Sequence, residues 1–154
     1  MISNQTEEAL IQLNVEADNW EAAIRQAAKP LVEKAYITTG YVDAMIESVN
    51  EIGPYIVITK HVALPHASEK YGALKTGLGI TTLKTGVNFG NENNDPVKYI
   101  FCLSANDSST HLQLMASLVQ LLELPEFYTM LDNAQNAKEV LDYLKENERN
   151  EDNV

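Results

Sequence analysis

Strand-like patterns occur in several parts of the chain. Near the start, Ile11, Leu13 and Val15 alternate with polar residues, which is the period-two pattern of a strand with one buried face and predicts a strand over 10–15. Other β-rich runs predict the rest of a sheet, in which Val87 and Phe89 form a short edge strand. These runs are 55–59, which we interpret as a central strand, 77–83 and 97–103.

Helical spacing of apolar residues appears between and after these runs. It predicts a helix over 19–28, and we interpret Pro30 as the opening of a second short helix, because proline fits a first turn better than a helix interior. A further helix is predicted over 40–50. After Ser108 a buried helix runs until Pro125 ends it, and two amphipathic segments follow before a polar end, 146–153, that we expect to be frayed and solvated.

Strands interleaved with helices predict an α/β fold, with a mixed β-sheet flanked by helices on both faces. This arrangement is a three-layer α/β/α sandwich. The chain has 154 residues, which is the usual length of one domain. We therefore expect a single domain over 1–154, with a core at about 8–146 and a polar tail at 147–154.

The charge balance and hydropathy exclude two classes of partner. The chain carries 22 acidic and 11 basic side chains, a formal charge of -11, which repels a nucleic-acid backbone. No run approaches the roughly 20 apolar residues of a membrane span, and the first residues lack the basic and apolar regions of a signal peptide. We expect a cytoplasmic protein without membrane insertion. The single cysteine, Cys102, lies in an apolar run and receives no chemical role.

The histidines are the candidate chemical groups. His61 and His66 bracket the segment 62–65 directly after the strand predicted at 55–59, and loops at strand ends are where α/β proteins place sites. A neutral imidazole has a ring nitrogen free to attack phosphorus, and its phosphoramidate retains a high transfer potential. Pro65 stiffens the backbone beside His66, and the small Ala67 leaves room for a partner protein. His66 is therefore a candidate phosphoryl carrier.

His111 is the candidate second member of the site. It follows Ser108, Ser109 and Thr110, so it lies in the first turn of a predicted helix. Free backbone amides and the helix dipole favour negative charge there. His111 is thus expected to help hold a phosphoryl group on His66.

Two other interpretations of the histidines stay open. In the first, each histidine is an ordinary surface or packed residue. In the second, all three histidines bind a metal, although His61 and His66 are five residues apart and neither a cysteine nor a carboxylate completes a ligand motif.

The residues around His66 carry a family resemblance. Gly-Pro-Tyr-Ile-Val-Ile at 53–58, followed by Val-Ala-Leu-Pro-His-Ala at 62–67, resembles the enzyme IIA domains of the mannitol/fructose class in the bacterial sugar phosphotransferase system (PTS). The similarity runs over about residues 8–146. The segment 87–97 and the Gly-Pro-Tyr lead look most like the ascorbate-type IIA proteins.

This resemblance implies a role, partners and a transported compound. His66 would accept a phosphoryl group from the histidine phosphocarrier protein and give it to a cysteine of the cognate IIB component. The family's second histidine, which helps to stabilise the phosphorylated state, maps onto His111. No cofactor or metal is implied. Ascorbate, a related sugar acid or a pentitol would be the transported compound, and the oligomeric state is left open.

The sequence also departs from the family pattern. Many mannitol-type members carry an arginine near the end of the helix before the motif, where this chain has Glu47, Ser48 and Val49. A usual proline is replaced within 59–61, and Ser-Glu-Lys at 68–70 replaces a common Arg-Pro-Glu. The missing arginine leaves open a degenerate binding module that is not phosphorylated. A IIA-like regulatory module that signals through phosphorylation of His66 is the other alternative.

Overall fold

A five-stranded mixed sheet forms the centre of the computed structural model, which describes residues 2–152 and no side chains beyond 148. In space the strands follow the order β1-β4-β5-β3-β2. The β1/β4 and β3/β5 pairs are parallel, whereas β4/β5 and β2/β3 are antiparallel. The strands are β1 (Ile11–Val15), β2 (Val57–Thr59), β3 (Val62–Ala63), β4 (Gly77–Val87) and β5 (Val97–Ser104).

Helices cover both faces of this sheet. Within the described residues they are α1 (Trp20–Glu33), α2 (Thr39–Ile52), α3 (Ser108–Leu122), α4 (Pro125–Asn133) and α5 (Ala137–Asp152). None of these described helices is both long and apolar enough to cross a membrane.

The central strand β5 divides the core into two layers. Ile100 and Cys102 pack in the cluster formed with α1 and α2, while Phe101 and Leu103 pack in the cluster formed with α3, α4 and α5. Successive side chains of a strand point to opposite faces, so one apolar strand supplies both layers. The predicted α/β/α class is confirmed.

The prediction that Pro30 opens a second helix is wrong. Pro30 lies inside the continuous helix α1 and cannot donate a hydrogen bond to the carbonyl of Gln26, one turn earlier. The side chain of Gln12 on β1 donates to that carbonyl instead, over 2.8 Å. Gln12, which is distant in the sequence, thus supplies the hydrogen bond that Pro30 cannot donate.

The strand predicted at 55–59 is not central. Only Val57–Thr59 is a strand, and it lies at the edge of the sheet with Tyr55 and Ile58 exposed. The two-residue strand β3, which the sequence pattern missed, separates it from β5. The predicted edge strand at Val87 and Phe89 is also wrong, because Val87 ends the long strand β4 and Phe89 follows outside it.

The polar end is helical where a frayed tail was expected. Helix α5 continues to Asp152, and the carboxylate of Glu148 accepts hydrogen bonds from the amide and the hydroxyl of Ser3. This contact joins the two ends of the chain. The rest of the predicted tail, 153 and 154, lies outside the described residues.

Candidate functional site

The loop that carries His66 leaves the C-terminal end of β3 and is held by backbone hydrogen bonds. The amide of Leu64 donates to the carbonyl of Ile56 over 2.8 Å, and the amide of Leu103 donates to the carbonyl of Pro65 over 3.0 Å. Because Leu103 lies in the central strand, the segment before His66 is fixed to the most buried part of the sheet.

Tyr41, a residue that the sequence analysis did not select, holds the segment after His66. Its fully buried hydroxyl donates to the carbonyl of Leu103 over 2.7 Å and accepts from the amide of Ala67 over 3.0 Å. Burial raises the pKa of Tyr41, so the hydroxyl stays protonated and remains a donor. The sequence gives only a weak signal for it, a tyrosine on the apolar face of a helix.

The ring of His66 has a defined tautomer. Its Nδ1 lies 2.7 Å from the carbonyl oxygen of Leu64, and a carbonyl can only accept a hydrogen bond. Nδ1 therefore carries the proton in the neutral ring, and Nε2 holds the lone pair. The side chain is half-buried and lines an open cleft, so Nε2 is the nitrogen available for attack on phosphorus.

His111 lies against His66, as the sequence pattern suggested. The ring centroids are 5.2 Å apart, and the ring planes meet at 48°. Burial and then the neighbouring His66 lower the pKa of His111, while Glu69 acts in the opposite direction. Two imidazoles from different elements thus share one cleft, and the lowered pKa favours the neutral form of His111.

Part of the first turn of α3, where free amides were expected, is already capped. Asp107 caps the helix, and its carboxylate accepts from the amide of Thr110 over 2.7 Å and from the Thr110 hydroxyl over 2.8 Å. These hydrogen bonds lower the pKa of Asp107. The amide of His111 itself donates to the carbonyl of Asp107 over 3.1 Å, so we expect His111 to contribute through its ring.

His61 lies outside the cleft. Its Nδ1 is 2.7 Å from the carbonyl oxygen of Pro96, and the residue occupies the turn between β2 and β3 with φ at 68°. The three histidines do not converge, which contradicts the metal interpretation based on all three. No group of three or more histidine, cysteine or carboxylate side chains suited to a metal was found in the part of the chain that the structure describes.

The cleft around His66 and His111 has a volume of about 860 Å³ and an acidic lining. No lysine or arginine occurs among the described residues that line it. Arg25 forms an ion pair with one of the carboxylates, Asp43, over 3.4 Å, from outside the lining. The carboxylates in the lining are Asp43, Glu47, Glu51 and Glu69.

Comparison with known proteins assigns this arrangement to a family. The family model described as "Phosphoenolpyruvate-dependent sugar phosphotransferase system, EIIA 2" matches residues 4–147. The chain belongs to this EIIA family. EIIA components are phosphotransferase components that carry phosphohistidine.

Individual relatives agree with this assignment. The ascorbate-specific EIIA component of Salmonella typhimurium is 33% identical to this EIIA chain over 135 residues, which cover 87% of this chain and 88% of that protein. The solution structure of the mannitol-specific cryptic phosphotransferase enzyme IIA of Escherichia coli has a TM-score of 0.81 and 35% identity, covering 92% of this chain and 95% of that one.

A further solved neighbour is a complex. It contains enzyme IIA and phosphorylated enzyme IIB of the mannitol system of Escherichia coli, and the match has a TM-score of 0.78 at 28% identity. The match covers 90% of this EIIA chain and 96% of that one.

Proposed function

We propose that this EIIA component accepts a phosphoryl group on Nε2 of His66 from the histidine phosphocarrier protein and passes it to a cysteine of the cognate IIB component. The observation that carries the proposal is the 2.7 Å hydrogen bond between Nδ1 of His66 and the carbonyl of Leu64. It holds the proton on one ring nitrogen and leaves the lone pair on the other, which is the protonation state that a nucleophilic imidazole needs.

Both transfers balance without a cofactor. In the first, the lone pair of Nε2 forms a bond to phosphorus as the bond between phosphorus and the donor's histidine nitrogen breaks, and the electron pair returns to the donor. In the second, a thiolate of IIB attacks phosphorus and the electron pair of the breaking bond returns to Nε2. Such transfers depend mainly on in-line alignment and charge stabilisation.

His111 is proposed to stabilise the phosphorylated state. Its ring centroid is 5.2 Å from that of His66, within reach of a group attached to the neighbouring ring. A phosphoryl dianion favours a protonated neighbour, so phosphorylation should raise the pKa of His111 from the lowered value of the free protein. The positive charge would then appear only when the negative charge arrives.

The acidic cleft supports delivery by protein partners. The lining carboxylates disfavour entry of free phosphate, whereas a carrier protein can bring a phosphoryl group in against them with its own contacts. The neighbouring complex of a IIA with a phosphorylated IIB supports the choice of acceptor. We further propose a cytoplasmic single-domain protein serving uptake of ascorbate, a related sugar acid or a pentitol, on the strength of the ascorbate-specific relative.

Phosphorylation by purified components tests the proposal. The protein is incubated with phosphoenolpyruvate, enzyme I and the histidine phosphocarrier, and its intact mass is measured before and after mild acid. We expect one acid-labile phosphoryl group in the wild type and in His61→Asn, the matched control outside the cleft. His66→Ala should gain none, and His111→Ala should lose its group faster. A wild type without any added mass would contradict the proposal and support a degenerate binding module.

A further inference from the structure

The site has to hold a phosphoryl dianion without a fixed positive charge. The described residues that line the cleft include four carboxylates. Lysine and arginine are absent from this described lining. Ionised carboxylates accept hydrogen bonds and cannot donate them. Apart from the ring of His111, the oxygens of a phosphoryl group on His66 therefore depend on uncharged donors in the same cleft.

Ser48 and Tyr55 form a pair of such donors. Their hydroxyl oxygens are 3.0 Å apart, and both residues line the cleft. Whichever hydroxyl donates to the other, the pair has two protons and uses only one between its members. One hydroxyl proton is left to donate to a third group.

The local fold brings this pair next to His66. Gly53 caps the C-terminal end of helix α2 with a φ of 109°, which suits glycine. The chain then turns, and the amide of Tyr55 donates to the carbonyl of Gly53 over 2.9 Å. The turn sets the ring of Tyr55 edge-on to the ring of His66, with centroids 6.1 Å apart. Tyr55 also lines the cleft and remains 42% exposed.

Other hydroxyls of the cleft are less suited to this task. The hydroxyl of Ser68 lies 3.5 Å from a carboxylate oxygen of Glu69, which competes for its proton. Ser108, at the start of α3, has no ring to place against His66. Tyr71 also lines the cleft, but the ammonium group of Lys70 lies over its ring, 5.1 Å from the centroid. The ring contacts of His66 among the described residues are with Tyr55 and His111. The Ser48–Tyr55 pair combines a spare proton with contact to the ring of His66.

We propose that the Ser48–Tyr55 hydroxyl pair, together with His111, donates a hydrogen bond to the phosphoryl group on His66, in place of the lysine or arginine that the described lining of the cleft lacks. This inference rests on the proposed function, since it assumes that His66 is phosphorylated. Neutral donors stabilise the phosphoryl group less than a guanidinium does, because hydrogen bonds between two ions are the stronger kind. The phosphoryl group is thereby held in place and still released readily to IIB.

Two substitutions remove the pair while leaving its surroundings in place. Tyr55→Phe keeps the ring that packs on His66 and deletes only the hydroxyl, and Ser48→Ala deletes its partner. Tyr36→Phe and Ser117→Ala are the matched controls, since they make the same chemical changes outside the cleft. Circular dichroism and thermal melting check that each variant is folded.

The readouts are the equilibrium of phosphoryl exchange with the phosphocarrier and the ³¹P chemical shift of the phosphohistidine. We expect Tyr55→Phe, which deletes the hydroxyl on the ring beside His66, to shift the equilibrium toward the phosphocarrier by roughly tenfold, the loss of one hydrogen bond to a charged group. Ser48→Ala leaves the Tyr55 hydroxyl without its partner and should cause a smaller shift in the same direction, and the double variant should lose little more than Tyr55→Phe. The ³¹P resonance should move in these variants and stay in place in the controls.

The outcomes separate this inference from the proposed function. Phosphorylation of the wild type, with an unchanged equilibrium and ³¹P shift in Tyr55→Phe and Ser48→Ala, would overturn the hydroxyl pair and leave the carrier role of His66 intact. A wild type that takes up no phosphoryl group would overturn both. A shift of equal size in Tyr36→Phe would also overturn the inference, because the effect would not be specific to the cleft.

Discussion

Removing one buried hydroxyl, in Tyr41→Phe, should destabilise the protein and loosen the loop of His66. The hydroxyl of Tyr41 joins helix α2 to the carbonyl of Leu103 in β5, over 2.7 Å, and to the amide of Ala67 in the loop, over 3.0 Å. Phenylalanine fills nearly the same volume, so packing is preserved and the two hydrogen bonds are lost.

The expected cost follows from the burial of these groups. Each lost hydrogen bond is worth about 1 kcal/mol, and a buried backbone group left without a partner costs about 1 to 3 kcal/mol. Because Tyr41 and Leu103 are fully buried, water does not replace the hydroxyl at the Leu103 carbonyl. We therefore expect the free energy of unfolding to fall by about 2 to 4 kcal/mol.

Urea denaturation of the wild type, Tyr41→Phe and Tyr71→Phe measures this cost. Tyr71 is 51% exposed, so its variant should stay within about 0.5 kcal/mol of the wild type. Hydrogen exchange at the amide of Ala67 should quicken in Tyr41→Phe, because that amide loses its acceptor. A loss below about 0.5 kcal/mol, with unchanged exchange at Ala67, would refute the assignment of Tyr41 as the anchor of the loop.

Three further predictions concern stability. The pKa of His111 lies below its ordinary value of 6.5, so between the two values the unfolded chain binds more protons and stability falls as the pH falls. In urea denaturation from about pH 8 to about pH 5, the free energy of unfolding should fall less steeply with pH in His111→Gln than in the wild type. Equal slopes against pH in the two proteins would contradict this prediction. Asp107→Ala should lower the midpoint of thermal denaturation, whereas Asp107→Asn keeps a capping oxygen and most of the stability. Equal losses in the two variants would argue against the cap. Gln12→Leu should lower the free energy of unfolding, measured by urea denaturation, by about 1 kcal/mol in the wild type. The loss should be smaller in a Pro30→Ala background, where the new amide can donate to the carbonyl of Gln26. An equal loss in both backgrounds would refute the idea that Gln12 replaces the hydrogen bond that Pro30 cannot donate.

Periodic patterns predicted the layers of the fold because burial follows the repeat of each element. The strand at 97–103 and the helix after Ser108 are both present, as β5 and α3. A helix predicted over 40–50 corresponds to α2. Long elements buried on one or two faces leave a repeated signal in the sequence, so their presence can be derived without a structure.

Contacts between distant residues explain what the patterns missed. Pro30 stays inside α1 because Gln12, on another element, satisfies the carbonyl of Gln26. The strand β3 has only two residues and exists through its pairing with Tyr99 and Ile100 of β5. Neither effect has a local sequence signature, and the same holds for the order of the strands.

The residues of the candidate site likewise fall into those that the sequence indicated and those that it did not. His66 and His111 stood out because histidine has its own chemistry and because each follows a recognisable strand or helix boundary. Tyr41 and Tyr55 are common residue types whose contribution depends on hydrogen bonds to Ala67 and Ser48, respectively. The acidic lining of the cleft likewise comes from carboxylates that look like ordinary solvated charges along a helix.

The most direct test of the central claim identifies the phosphorylated atom. The protein, labelled with ¹⁵N in its histidine rings, is phosphorylated through enzyme I and the phosphocarrier and studied by long-range ¹H–¹⁵N and ³¹P NMR. The hydrogen bond from Nδ1 to the Leu64 carbonyl predicts one phosphoryl group on Nε2 of His66, with Nδ1 still protonated. A phosphoryl group on Nδ1 of His66, or on any other residue, would contradict the account.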